Sequence, residues 1–422
     1  MNDLMNTWKR APKWAVWMAY AAVGILILTI VQSYTDTERL TSATTSGAML
    51  RWAVPIMLAG LGGLYSERAG VVNIGLEGML GLGMWFGAWG TINYGPWWGL
   101  VIGIAGGGLG GLVHAIATVT FGVDHIISGV AIIIAAPGIT RFLSLEIFAN
   151  YDGGSITQSP GVDGVGKFTF PVLSGGDVGG WKSPDVLGWF VDKGWWFVSD
   201  LASVARGLTF NLSQMTMLAY LLIPLTGWLL WRTRFGLRLR IAGENPQAGE
   251  SQGIDIIRYK YIGVLMSGAL AGFGGAFISS PELNGIYLEG STLNRGFIGL
   301  AALIIGNWRP AGVMAGALLF AYPTALGKRD LEGTSTHALL LVVVIALAFV
   351  VLWALSRKKH SDAILAGVLA LAAGFWFVSA DSVPKWWTDI QPQVIVILVL
   401  VFFAQRLRMP MADGQPYRKG ES

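Results

Sequence analysis

Apolar runs of membrane-crossing length recur along this chain, near residues 14–31, 47–65, 75–92, 97–120, 126–143, 215–231, 260–280, 297–306, 311–326, 337–355, 361–379 and 393–405. A helix needs roughly 20 such residues to cross a hydrocarbon layer about 30 Å thick. Inside that layer every backbone N–H and C=O must bond within its own segment. The runs therefore predict an all-α, polytopic integral membrane protein, and the charged fraction of 13% agrees, because soluble domains carry about 25%. Glycine fills 58 positions, as expected where helices in lipid pack backbone to backbone through small residues.

Charge orients the spans. Cytoplasmic loops are rich in Lys and Arg, so Lys9, Arg10 and Lys13 are placed inside. Counting crossings from there puts the basic stretch 232–260 inside as well. If 297–326 were one span, the cluster Ser356-Arg357-Lys358-Lys359-His360 would fall outside, against the rule. A hairpin turning at Gly306-Asn307-Trp308-Arg309-Pro310 restores it, with short or re-entrant limbs. The expectation is about ten full spans plus that hairpin, in a single transmembrane domain over 1–422 of the cell membrane, with both termini cytoplasmic. The tail from Arg406, with Arg408, Arg418 and Lys419, then lies inside. The segment after Met1, from Trp14 to Val31, reads as a retained first span rather than a cleaved leader, since the run is long and lacks a small-residue cleavage site. The long segment 144–211 falls outside, with Trp181, Trp189, Trp195 and Trp196 at the headgroup level. The alternative for that segment is a docking surface for an external partner.

Several familiar chemistries are excluded. The net charge of +4 is spread over short loops beside spans, which is not a nucleic-acid groove. There is no cysteine, hence no disulfide and no thiolate. The stretch from Gly161 to Lys167 has phosphate-loop spacing, but Phe168 stands where a magnesium-binding hydroxyl belongs. Gly106, Gly108 and Gly111 match a dinucleotide fingerprint by spacing, yet lie inside an apolar run, where Gly107 and Gly111 form a small-residue packing face. The histidines at 114, 125, 337 and 360 have no ligand spacing, and His114 reads as a satisfied interior residue. Any ATP that drives this protein is bound by another subunit.

Two polar stretches interrupt the spans. In 232–260, Asn245 is a helix N-cap, Pro246 suits the first helical position and Gly253 closes the far end, predicting a helix from Pro246 to Gln252. At about 10 Å such a stub is too short to stand alone, so either a partner holds it or it is a surface turn. In 65–78, Asn73 and Glu77 are four apart and would share one face of a continuing helix, looking into a pathway. The alternative is a cytoplasmic salt-bridged turn of Glu67, Arg68 and Glu77.

The segments ERAGVVNIGLEGML at 67–80, HIISGVAIIIAAPGITRFL at 125–143, GENPQAGESQGIDIIRYKYIGVLMSGALAGFGGAFIS at 243–279, NRGFIGLAALIIGNWRPAG at 294–312 and PYRKGE at 416–421 resemble the permease subunits of ATP-binding cassette importers. Within that superfamily, which includes simple-sugar and branched-chain amino acid permeases, they are most similar to nucleoside-importer permeases. The resemblance implies an external substrate-binding protein, a second and non-identical permease, and a cytoplasmic ATPase that holds ATP and magnesium, with no cofactor in this chain. It makes Gly243, Glu244, Asn245, Pro246, Ala248 and Gly253 the coupling helix that contacts the ATPase. Three departures stand out: Asn294 where the family has glycine, the long loop 144–211, and a hairpin at 337–379 that looks inserted.

A nucleoside is flat and neutral with polar edges, so it calls for aromatic faces and amide or hydroxyl partners. Asn73, Glu77, Ser128 and the i, i+4 pair Trp85 and Trp89 are the pathway candidates. The alternatives are a simple-sugar or branched-chain amino acid permease, an ion-coupled secondary transporter, which would need buried acids in its central spans, and a membrane scaffold.

Overall fold

The computed structural model describes residues 13–330, 332–403 and 407–420. Lys9, Arg10 and Arg406, used in the orientation argument, lie outside them. The described helices are α1 (Lys13–Thr35), α2 (Ala43–Arg68), α3 (Leu76–Tyr94), α4 (Pro96–Ala115), α5 (His125–Glu146), α6 (Val186–Asp192), α7 (Trp196–Gly207), α8 (Gln214–Arg232), α9 (Arg234–Glu244), α10 (Pro246–Ser251), α11 (Ile256–Ser279), α12 (Arg295–Ile305), α13 (Pro310–Gly327), α14 (Thr334–Ser356), α15 (His360–Ser379) and α16 (Lys385–Phe403). A helix occupies each of the twelve apolar runs, and the described strands are only two residues long. The protein is a polytopic all-α membrane protein. Nine described helices are long and apolar enough to cross a bilayer. One limb of the 297–326 hairpin departs from expectation: α12 is short, but α13 has 18 residues, about 27 Å, and is not a short limb.

The contacts group into two units. One contains residues 50–167, 213–321 and 392–422. At its centre α3, α4 and α11 pack against each other. Gly103, Gly107 and Gly111 repeat every four residues and so share one face of α4. That face meets Gly268 and Gly272 of α11: a methyl on Gly107 would stand 2.4 Å from the Gly268 carbonyl oxygen and from the Gly272 Cα. Gly83 of α3 approaches Gly272 equally closely. Gly107 and Gly111 thus form a backbone seam, the role the sequence assigned them, while Gly106 packs on the Phe86 ring and Gly108 meets nothing within 4 Å. Around it sits a core of Leu76, Met79, Leu80, Met84, Trp85, Phe148, Ile278 and Tyr287.

The other unit contains residues 1–49, 168–212 and 322–391. Here α14 and α15 form an antiparallel hairpin whose turn passes through Lys358 at φ +57°, and α1 packs on α14 and on α7. Val31, Leu40, Leu326 and Ala338 form its small core. The segment 144–211 is held by polar locks: Arg206 donates two bonds to Asp185 Oδ2, at 3.0 and 2.7 Å, and Asp200 Oδ1 accepts from Thr41 at 2.7 Å. Burial works to raise the Asp185 pKa, but those bonds and the Gly188 amide outweigh it and hold the carboxyl below its usual range. Trp181, Trp189, Trp195 and Trp196 are all exposed.

Candidate functional site

Three successive caps shape the stretch 232–260. Thr233 accepts from the Gly236 amide at 3.1 Å and starts α9. Asn245 Oδ1 accepts from the Ala248 amide at 3.0 Å and starts α10, with Pro246 in the first turn. Asp255 accepts from the Arg258 amide at 3.1 Å and starts α11. Each cap satisfies a backbone donor that a helix start leaves orphaned. The short helix ends one residue earlier than expected: Gln252 is its C-cap. The exit is a Schellman turn, in which Gly253 at φ +75° donates to Glu250 O and Ile254 donates to Gly249 O. Pro246 and Gly249 face inward, while Glu244, Asn245, Gln247, Ala248 and Gly253 are exposed. The stub is therefore rigid, anchored on one side and open on the other. The sequence reading missed α9, which makes most of the apparent loop helical.

What anchors the stub is a polar convergence of four segments. Arg68, at the end of α2, pairs with Glu244 at 3.1 Å and donates to Trp308 O at 3.1 Å. Trp308 donates from Nε1 to Glu67 Oε2 at 2.5 Å. Arg68 and Arg240 both lie over the Trp231 ring, 5.7 Å from its centroid. Lys260 Nζ donates to Gly70 O at 3.0 Å. The C-terminal tail closes the arrangement: Arg408 N donates to Asn307 Oδ1 at 2.7 Å, Ala412 N to Gly243 O at 2.9 Å, and Tyr417 OH to Glu250 Oε2 at 2.6 Å. The basic stretch 232–260 and the tail, expected on one side, meet the break after α2 and the 306–309 turn at one end of this unit. The expected salt-bridged turn of Glu67, Arg68 and Glu77 does not form, because Arg68 spends its charge on Glu244 and Glu67 is met by an indole.

The shared face of Asn73 and Glu77 is likewise absent. Residues 71–73 are irregular and α3 begins only at Leu76, so the two are not on one helix. Glu77 instead caps α12, accepting from Asn294 N at 3.0 Å and Gly296 N at 2.7 Å, where a carboxylate also complements the helix dipole. Asn294 itself sits at φ +61°, which explains why asparagine, the non-glycine residue most at ease there, fills the glycine position. Asn73 is fully buried in its irregular segment; Nδ2 donates to Ser267 Oγ at 2.9 Å, and Oδ1 has no partner. Nearby, His114 bridges Ser128 Oγ, at 2.9 Å, and Val72 O, at 3.0 Å, the satisfied interior role expected of it. Asn73 and Ser128 thus belong to one polar neighbourhood. Trp85 and Trp89 stack with centroids 6.5 Å apart and planes 10° apart. Trp85 is buried and donates to Ser144 Oγ at 2.9 Å, so only Trp89, half-buried, is partly open. Lys167, the end of the phosphate-loop look-alike, lies 3.9 Å from Glu282 and opens no helix.

The family described as "Branched-chain amino acid transport system / permease component" matches residues 46–352. The chain belongs to this permease family. It is 29% identical over 382 residues to the nucleoside ABC transporter permease protein NupC of Lactococcus lactis, covering 88% of this chain and 96% of that one. It is 30% identical over 382 residues to the guanosine ABC transporter permease protein NupQ of Bacillus subtilis, covering 89% and 96%. It is 30% identical over 284 residues to the putative glucose ABC transporter permease protein TsgC13 of Haloferax volcanii, covering 67% and 76%. No solved structure matches the chain. As a permease component with nine membrane-length helices among the described residues, it is a multi-pass protein of the cell membrane, and ATP hydrolysis in such transporters lies in a separate subunit.

Proposed function

We propose that this permease forms half of the translocation pathway of an ATP-driven nucleoside importer, paired with a second, non-identical permease, fed by an external substrate-binding protein and driven by a cytoplasmic ATPase that holds ATP and magnesium. The short helix Pro246–Ser251 is its coupling element. The observation that supports this reading is the helix's construction: capped at both ends, fixed to the break after α2 by the Arg68–Glu244 pair, and exposed at Glu244, Asn245, Gln247, Ala248 and Gly253. A stub with that geometry transmits a push without absorbing it. Gly243 contributes close approach, since a methyl there would stand 2.5 Å from Arg68 O.

The pathway residues proposed are Asn73, Ser128, Trp85 and Trp89, with Glu77 positioning α3 against α12. Asn73 is the best placed, because a buried amide oxygen without a donor costs about 1–3 kcal/mol and is relieved by any donor a passing solute supplies. The nucleoside assignment rests on the relatives that match most of the chain; the glucose relative keeps a simple sugar as the second reading.

Reconstituted with its ATPase and binding protein in proteoliposomes, the permease is expected to import a nucleoside only when ATP is supplied. Uptake that follows an imposed ion gradient and ignores ATP refutes the mechanism. Replacing Glu244, Asn245 and Pro246 together is expected to abolish ATPase co-purification. A binding panel of nucleosides against sugars on the external protein decides the substrate class.

A further inference from the structure

Residues 407–420 run across the cytoplasmic convergence and bury a carboxyl there. Asp413 is 8% exposed, and Glu67, at the end of α2, is 6% exposed. The tail brings the two carboxyls to the same break after α2: Ala412 N bonds Gly243 O, which packs on Arg68 and Gly70, and Gly414 packs on Val72, and each carboxyl acts on the titration of the other. Among the described residues, neither Asp413 carboxyl oxygen has a hydrogen-bond donor. Two like charges in contact away from water are unstable, and one proton between them converts repulsion into a hydrogen bond. The surrounding charges do not remove the need for it. On α2, Arg68 is committed to Glu244 and Trp308. On α11, Lys260 attracts Asp413 but gives its hydrogen bond to Gly70. Arg240 of α9 lies over Trp231 and bonds Leu230 O, and Arg309 of the turn acts on Arg68.

We propose that the C-terminal segment is a latch held shut by a single proton shared between the Asp413 and Glu67 carboxyls, and that loss of this proton releases the tail from the short helix, the 306–309 turn and the break after α2. The contacts that open together are Arg408 to Asn307, Ala412 to Gly243 and Tyr417 to Glu250. The permease thus carries, beside its coupling helix, a strap whose grip follows cytoplasmic pH.

The sign of the response follows from linkage. Burial first, then Glu67, holds the Asp413 carboxyl well above its ordinary 3.8. In the released tail it would ionise near the ordinary value. The latched state therefore keeps a proton that the released state loses, and latching is strongest in acid. It weakens about tenfold per pH unit through the window between those values and levels off above the upper one.

The chain has no cysteine, so Lys419→Cys supplies a sole thiol for a nitroxide label on the exposed end of the tail. Electron paramagnetic resonance of the full-length permease in nanodiscs, from pH 6 to 10, reads mobile against immobile label. The mobile-to-immobile ratio is expected to rise about tenfold per pH unit and to level off once the raised pKa of the latched carboxyl is passed. Asp413→Asn, whose amide donates to Glu67 without titrating, is expected to stay immobile throughout. Asp413→Lys is expected to be mobile at every pH. A label already mobile at pH 6, a pH-independent parent, or an Asn variant that titrates as the parent does would each overturn the latch. None of these readouts involves the ATPase or any substrate, so they fail or succeed independently of the transport assignment.

Discussion

The two units bury their apolar helices by opposite means. In the unit built on α3, α4 and α11, glycine against glycine brings backbones together, and the windows of α2 and α11 are 83% and 72% buried. In the unit containing α14 and α15, the helices are rich in Leu, Val and Ala. There the windows of α1 and α15 are only 11% buried, and glycines such as Gly367 and Gly374 have nothing closer than 3.8 Å. Lipid is as apolar as leucine, so exposing such a helix costs nothing; what lipid cannot supply is the close fit that fixes one helix position against another. The first unit is therefore built for defined geometry, the second for residence in the bilayer. The difference falls where function is proposed, since every pathway and coupling candidate lies in the close-packed unit.

Paired substitutions put this difference to the test, beginning with the largest effect. Gly272→Leu forces a side chain into a space where a methyl already meets the Gly103 carbonyl oxygen at 2.4 Å. The expected loss is about 3 kcal/mol or more, read as a large fall in Tm in detergent, whereas Gly367→Leu should change stability by no more than about 0.5 kcal/mol. Equal shifts would remove the distinction between the units. Trp308→Phe deletes the donor to buried Glu67 and should cost about 1–3 kcal/mol; Trp196→Phe, whose exposed indole donates to Ser33 at 3.0 Å, should cost far less.

Asn245→Ala removes a cap worth about 1 kcal/mol, and its ATP-driven uptake should fall more than its Tm, because the short helix has few other bonds. Smallest is Asp185→Asn, which breaks a half-exposed ion pair worth at most about 1 kcal/mol. Since the Asp185 carboxyl is held below its ordinary 3.8, the parent keeps this contribution above that value and loses it as pH falls through the lowered one. Thermal scans across pH 2 to 7 should show the parent and the variant converging in acid.

Much of the fold was legible because membranes enforce long apolar runs, and the hairpin at 306–310 followed from charge alone. The cap at Asn245, the helix start at Pro246 and the closing role of Gly253 were readable because each is local chemistry. Thr233 and Asp255 are caps of the same kind and carry the same local signal. The partners of Arg68, Glu67 and Glu77 were not readable. Each is more than 170 positions away in sequence, and spacing along a chain says nothing about such contacts. Asp413 gave no warning at all: in sequence it is one acid in a polar tail, and only the fold buries it.

The tail's placement sets an order on biogenesis. The surface formed by α9, α10 and the 306–309 turn gains its last bonds from residues 408–417, which leave the ribosome after all the spans have been made. A nascent chain therefore lacks the finished platform until residues 408–417 have been made and have folded back onto it.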